Sequence, residues 1–99
     1  MGELNRDEKT FHLIVITPEQ VFFDGLVRSI VAPGGIGSLG VLVNHAPLIT
    51  TLVPGRLVIT SPEGEKQHLS IGSGFLDILN NQVTLLTESV SQDQSTISS

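Results

Sequence analysis

His45 is the residue best suited to acid or base chemistry. It stands in the compact run Asn44-His45-Ala46-Pro47, and an imidazole titrates close to neutral pH. A hydrolytic triad would also need a nucleophile beside the ring and a carboxylate behind it. Ser38, Ser29 and Thr50 offer hydroxyls, and Asp77 or Asp24 offers a carboxylate, but no sequence spacing ties any of them to His45. The pattern favours a turn or interface histidine. A second constellation, Gly35-Ile36-Gly37-Ser38-Leu39-Gly40, fits G-x-G-x-x-G, whose glycines let a backbone approach a dinucleotide pyrophosphate at a helix N-terminus. A helix should then follow. Instead Val41-Leu42-Val43 continues in β-type residues to Pro47, and the region 56–60 has no carboxylate for a ribose. This run reads as a glycine-rich turn between strands. His12 and His68 alternate along apolar segments and read as half-exposed strand residues. Ser70 to Gly74 offers a loop of the kind that cradles an anion, yet glycines around one apolar strand more often mark bulges or close sheet contacts. With no cysteine and three scattered histidines, neither a metal site nor a cofactor is expected.

The elements that must position these residues are strands. Ninety-nine residues make one domain. The apolar segments are short and β-branched: residues 11–17, 21–23, 26–32, 39–43, 48–53, 57–60, 68–71, 75–79 and 83–87. Turn signals separate them at Thr17-Pro18, Asp24-Gly25, Pro33-Gly34-Gly35, Asn44 to Pro47, Pro54-Gly55, Pro62-Glu63-Gly64, Gly72 to Gly74 and Asn80-Asn81. That rhythm predicts an all-β fold of about nine to ten short strands, as in antiparallel sandwiches and barrels. Phe11, Leu13 and Val15 share a face, as do Leu57 with Ile59, Leu69 with Ile71, and Val83 with Leu85. Ile14, Ile16, Val58, Leu76 with Ile78, and Leu86 make several strands apolar on both sides, which calls for a partner over part of the outer surface. The polar residues 1–10 and the Ser-rich residues 89–99 read as solvated tails, the latter disordered, around a β-sandwich over 11–88.

Charge excludes one class of partner. Five Lys plus Arg against ten Asp plus Glu leave −5, so no cationic surface faces a run of phosphates and nucleic acid is not expected. Charged residues make up 15%, low against a typical ~25%. No apolar run approaches the ~20 residues of a membrane helix, and the first ten residues lack the apolar core of a signal peptide. The expected location is the cytosol or the cytosolic side of a membrane, without direct membrane insertion.

Taken in order, Thr17-Pro18-Glu19-Gln20-Val21-Phe22-Phe23-Asp24-Gly25, Val31-Ala32-Pro33-Gly34, Leu39-Gly40-Val41-Leu42, Asn44-His45-Ala46-Pro47-Leu48-Ile49-Thr50, Pro54-Gly55, Ser73-Gly74-Phe75-Leu76 and Val83-Thr84-Leu85-Leu86 form a pattern. It closely resembles the N-terminal domain of the epsilon subunit of F-type ATP synthases. The resemblance implies a flattened sandwich of two antiparallel sheets. It further implies a non-catalytic central-stalk subunit of a proton- or sodium-translocating synthase, coupling the ring of c subunits to the gamma subunit. Such a subunit is peripheral, on the cytoplasmic face of an energy-transducing membrane such as the bacterial inner membrane.

Carried over by position, Thr17, Asn44, His45, Ala46, Pro47 and Thr50 are expected to face gamma, and Ile36, Ser38 and Leu39 to face the c ring. Two departures stand out. Ile36 and Ser38 replace acidic residues frequent in that loop, and Asn44 replaces a glycine. The family's C-terminal helical hairpin has no counterpart in the eleven residues after Glu88. The competing reading is a small β-domain enzyme or ligand binder using His45 and the Gly35 to Gly40 loop.

Overall fold

A computed structural model describes residues 9–92, and within them the fold is all β. Ten strands follow one another: β1 (Phe11–Ile16), β2 (Val21–Val27), β3 (Ser29–Gly34), β4 (Gly37–Leu42), β5 (Leu48–Leu52), β6 (Gly55–Thr60), β7 (Lys66–Ile71), β8 (Gly74–Leu79), β9 (Gln82–Thr87) and β10 (Val90–Gln92). They pair in the order β10-β7-β6-β3-β5-β8-β9-β1-β2, with β4 added on β3. Every strand neighbour is antiparallel except β1 and β9, which run parallel from His12↔Gln82 to Ile16↔Leu86. The two layers of the sandwich join through a single strand pair, Gly34↔Leu52.

The period-two pattern explains the core. Phe11, Leu13 and Val15 of β1 point inward with Leu76 and Ile78 of β8 and Val83 and Leu85 of β9. Ile30, Val41, Leu57, Ile59, Leu69 and Ile71 close on them from the other layer. Removing such side chains from water is the main force for folding, about 1.5–3 kcal/mol for each fully buried large aliphatic group.

Three expectations change. Asp24-Gly25 is no turn: both residues lie inside β2, in regular register opposite Ile14 and Leu13, and the register shift falls beyond them, at Val15/Ile16. The break falls at Arg28, whose backbone N–H leaves the strand to bond the Thr60 carbonyl at 2.8 Å. The tail expected from residue 89 is ordered at its start, because Val90–Gln92 adds a tenth strand to β7 and Val90 packs against the core. A short polar segment with one apolar residue gave little signal, and the open edge of β7 supplies the backbone partners. In β8 the inward pair is Leu76 and Ile78, so the outward apolar residues are Phe75 and Leu79. Residues 1–8 and 93–99 lie outside the described part.

The turns follow residue chemistry. Asn80 and Asn81 have φ of 51° and 60°, the paired left-handed conformation of a two-residue type I′ hairpin turn. Ser73-Gly74 confirms the close sheet contact read from the glycines: a Cβ on Gly74 would stand 1.8 Å from the Leu86 carbonyl oxygen.

Candidate partner-docking surface

The His45 loop is built around one unusual backbone conformation. Asn44 has φ of 65°, and the His45 N–H closes the turn onto the Leu42 carbonyl at 3.2 Å. Positive φ in the third turn position suits glycine or asparagine, whose short polar side chain bonds locally. Here the asparagine bonds to the adjacent β8–β9 turn. The Asn44 N–H donates to Asn81 Oδ1 at 2.6 Å, and Asn81 Nδ2 donates to Asn44 Oδ1 at 3.0 Å. The two loops enclose a cleft lined by Asn44, His45, Ala46, Pro47, Asn80 and Asn81. His45 Nδ1 lies 2.7 Å from its neighbour's carbonyl, Ala46 O, and must donate to it because a carbonyl only accepts.

The groups that a triad would need lie elsewhere. Ser38 stands near the far end of β4, roughly 13 Å along the strand from Leu42 at 3.3 Å per residue. Thr50 shares the inner side of its pair with Leu76, and Asp24 is engaged by His12. Gly37 to Gly40 lie within β4, so the glycine pattern opens a strand rather than a helix.

The residues carried over from the resemblance do not form one patch. Asn44 to Pro47 sit at one end of the sheet, beside the β8–β9 turn. Thr17 sits at the opposite end, where β1 and β9 finish and β8 begins. Its side chain is buried, and it exchanges bonds with Gln20 inside the Thr17–Gln20 turn at 3.2 and 3.3 Å. Thr50 is half-buried, while Ile49 and Thr51 flank it on the outer face. Of the second set, Ile36 is fully exposed at the β3–β4 hairpin tip and Ser38 is exposed, but Leu39 packs toward the core.

What joins the two ends is the outer face of β5, β8, β9, β1 and β2. Register places Thr51, Phe75, Leu86, Ile16 and Val21 in one row across these strands. The next row is Ile49, Asp77, Thr84, Ile14 and Asp24, and the third holds Leu79, Gln82, His12 and Leu26. Ile49 is 74% exposed and Phe75 54%, and Val21, Leu26, Leu79 and Leu86 are exposed as well. Ile16, Pro18, Phe75 and Leu86 line an almost wholly apolar groove of about 370 Å³. Sequence reasoning anticipated an apolar outer side but named only part of it, since the inward side of β8 depends on its pairing with β5.

On the same face a polar cluster went unread. His12 Nε2 meets Asp24 Oδ1 at 2.5 Å and Nδ1 meets Gln82 Oε1 at 2.9 Å, linking β2, β1 and β9. Both partners are acceptors, so the ring donates from both nitrogens, the arrangement of the imidazolium form. The Gln82 hydrogen bond, followed by that to Asp24, holds the His12 pKa above its ordinary value, against a smaller opposing effect of burial. Gln82 lies 70 residues away, so only the parallel β1–β9 pairing reveals the cluster.

Residues 10–93 match the β-sandwich domain of the ATP synthase delta/epsilon chain. The chain belongs to that family. Among its relatives, the ATP synthase epsilon chain of Dichelobacter nodosus is 38% identical over 78 residues, which cover 79% of this chain and 54% of that one. The epsilon chain of Chlorobaculum tepidum is 37% identical over 84 residues, 85% of this chain and 96% of the relative. The chain therefore spans about half the length of the first relative and nearly all of the second. The fold recurs in the mitochondrial ATP synthase of Euglena gracilis, solved with OSCP, F1 and c-ring, with a TM-score of 0.82 at 20% identity over 98% of this chain and 62% of that one. It recurs too in the central stalk and c-ring of the Tetrahymena thermophila enzyme, with a TM-score of 0.73 at 18% identity over 87% and 69%. Among the described residues no helix of this epsilon-family domain is long and apolar enough to cross a membrane.

Proposed function

We propose that this chain acts as the epsilon component of an ATP synthase central stalk, coupling the c ring to gamma without chemistry of its own. The observation that carries the reading is the group of exposed apolar side chains, Val21, Leu26, Ile49, Phe75, Leu79 and Leu86, spread over the outer face between the Thr17 end and the His45 end of the sheet. An exposed patch of this kind on a small acidic domain marks a protein interface. Gamma occupies this face, running along the strands so that it meets both Asn44 to Pro47 and the groove beside Thr17. Thr17 and Thr50 then act mainly by holding the backbone beneath the interface, since both side chains turn away from it.

The c ring meets the β3–β4 hairpin. Its exposed tip is Ile36, with Ser38 behind it, so the contact is apolar rather than ionic, and Leu39 supports the hairpin from inside. Proton or sodium flow would pass through the ring, leaving this subunit peripheral at the cytoplasmic face of the membrane.

A stable complex buries about 1,200 Å² or more in total, and its centre is the costliest place for a charge. Phe75→Asp with Leu86→Asp should therefore abolish co-purification with gamma while leaving the circular dichroism spectrum and melting temperature close to wild type. Undiminished capture of gamma by this double variant would overturn the placement. Ile36→Asp should leave gamma binding intact and weaken association of the gamma–epsilon pair with c-ring vesicles. The competing enzyme reading expects no stoichiometric complex with gamma at all.

A further inference from the structure

We infer that the Asn44–Asn81 pair, in which the Asn81 carboxamide accepts from the Asn44 backbone N–H and donates to the Asn44 side chain, is a positioning clasp, holding the His45 to Pro47 loop in the shape that its partner recognises. The inference rests on the reading that this loop faces gamma.

The geometry joins two loop residues, Asn44 exposed and Asn81 half-buried. Asn81 is itself fixed: its carbonyl accepts the His12 N–H of β1 at 3.0 Å, and its φ of 60° is set by the β8–β9 turn. From this post its side chain both accepts from and donates to Asn44, which is 37 residues away in sequence. Asn44 in turn occupies the one left-handed position of the His45 turn. Both residues pay steric strain that glycine would avoid at those φ values; the Asn81 side chain makes both bonds of the clasp and the Asn44 side chain makes one. The fold does not require it, because the backbone turn at Leu42–His45 and the type I′ turn at Asn80–Asn81 each close through conformations open to glycine. What the clasp adds is a bond between the tip that carries His45 and the sheet that carries the apolar face. A loop tied down before binding loses less freedom on binding, and a loop populated only in part in its competent shape binds more weakly by that fraction.

Glycine variants isolate the effect, since Asn44→Gly and Asn81→Gly keep the backbone conformations while deleting the carboxamides. Asn81→Gly removes both bonds and should weaken equilibrium binding of purified gamma by the full-length chain about fivefold, Asn44→Gly keeps its backbone N–H bond and should weaken it about twofold, and the double variant should be no worse than Asn81→Gly alone. Amide exchange at His45 and Leu48 should accelerate, and the melting temperature should stay within about 3 °C of wild type. Asn81→Asp, which keeps the acceptor for the Asn44 N–H, should recover affinity to within about twofold of wild type. His45→Glu serves as the control for the underlying reading and should release gamma. If His45→Glu releases gamma while the glycine variants bind as wild type, the clasp inference falls alone. If His45→Glu also binds as wild type, the reading of the loop falls and takes the inference with it. Additive losses in the double variant, or a fall in melting temperature above about 8 °C, would make the two residues independent contacts or fold elements and would equally overturn it.

Discussion

Gly74→Ala should be the most damaging alanine substitution among the described glycines. A Cβ at this position would lie 1.8 Å from the Leu86 carbonyl oxygen, 2.8 Å from its carbon and 2.9 Å from Thr87 Cα. All three are backbone atoms, so no rotamer change relieves the clash. To reach even a tight contact near 3.0 Å, β8 and β9 must part by about 1.2 Å from an ordinary strand spacing of 4.7–4.9 Å. Ladder bonds flanking Gly74↔Thr87 and Phe75↔Leu86 would lengthen beyond hydrogen-bonding range. Two or three lost bonds at about 1 kcal/mol each, with loosened packing of Leu76 and Leu85, amount to roughly 3 kcal/mol. A domain of this size shifts by about 4–8 °C per kcal/mol, so the melting temperature should fall by roughly 12–24 °C. Differential scanning calorimetry of the full chain measures it directly. Gly40→Ala is the matched control, because a Cβ there meets nothing within 4 Å, and its effect should stay within about 3 °C. A Gly74→Ala protein melting within about 4 °C of wild type would refute the reasoning.

Leu85→Ala, at a fully buried position between β8 and β1, should cost about 2–5 kcal/mol in urea unfolding with little change in the slope. Because the folded-state pKa of His12 is raised, the stability from its cluster is fully present below the unfolded pKa of about 6.5 and is lost as pH rises through the folded value. Asp24→Asn should accordingly lower the melting temperature more at pH 5 than at pH 8.5, with both gaps narrowed by salt; equal gaps at the two pH values would argue against the imidazolium. Ending the chain at Glu88 should lower the melting temperature by about 4–8 °C, since it removes β10 from the edge of β7 and the half-buried Val90 from the core.

Much of this fold is written in local chemistry. Alternation in Phe11-His12-Leu13-Ile14-Val15 and Leu57-Val58-Ile59 assigns faces without reference to any other strand, and Asn80-Asn81 marks its turn by itself. Asp24-Gly25 shows where that reading fails: a dipeptide typical of turns was carried into β2 because β1 offered it a full ladder partner. Val90 shows the converse, a weak segment made into a strand by an available edge. For the site, His45 stood out by the chemistry of its ring in a compact turn, and Ile36 only by its position in the resemblance. The outward turn of Phe75, the inward turn of Thr50 and the His12–Asp24–Gln82 and Asn44–Asn81 pairs are long-range facts, set by register between segments far apart in the chain.

The parallel pairing of β1 with β9 also fixes when the domain can exist. The first strand made finds its central neighbour 70 residues later, and at synthesis rates of 5–20 residues per second that wait lasts about 4–14 s. During it β1 and β2 form a two-stranded ribbon with one apolar edge open, a pairing too small to be stable alone and a template for unwanted strands. A nascent or truncated chain lacking β9 therefore cannot present the row from Phe75 through Leu86 to Ile16, however well its earlier hairpins form. A partner that needs the whole row would therefore dock only once β9 is in place between β8 and β1.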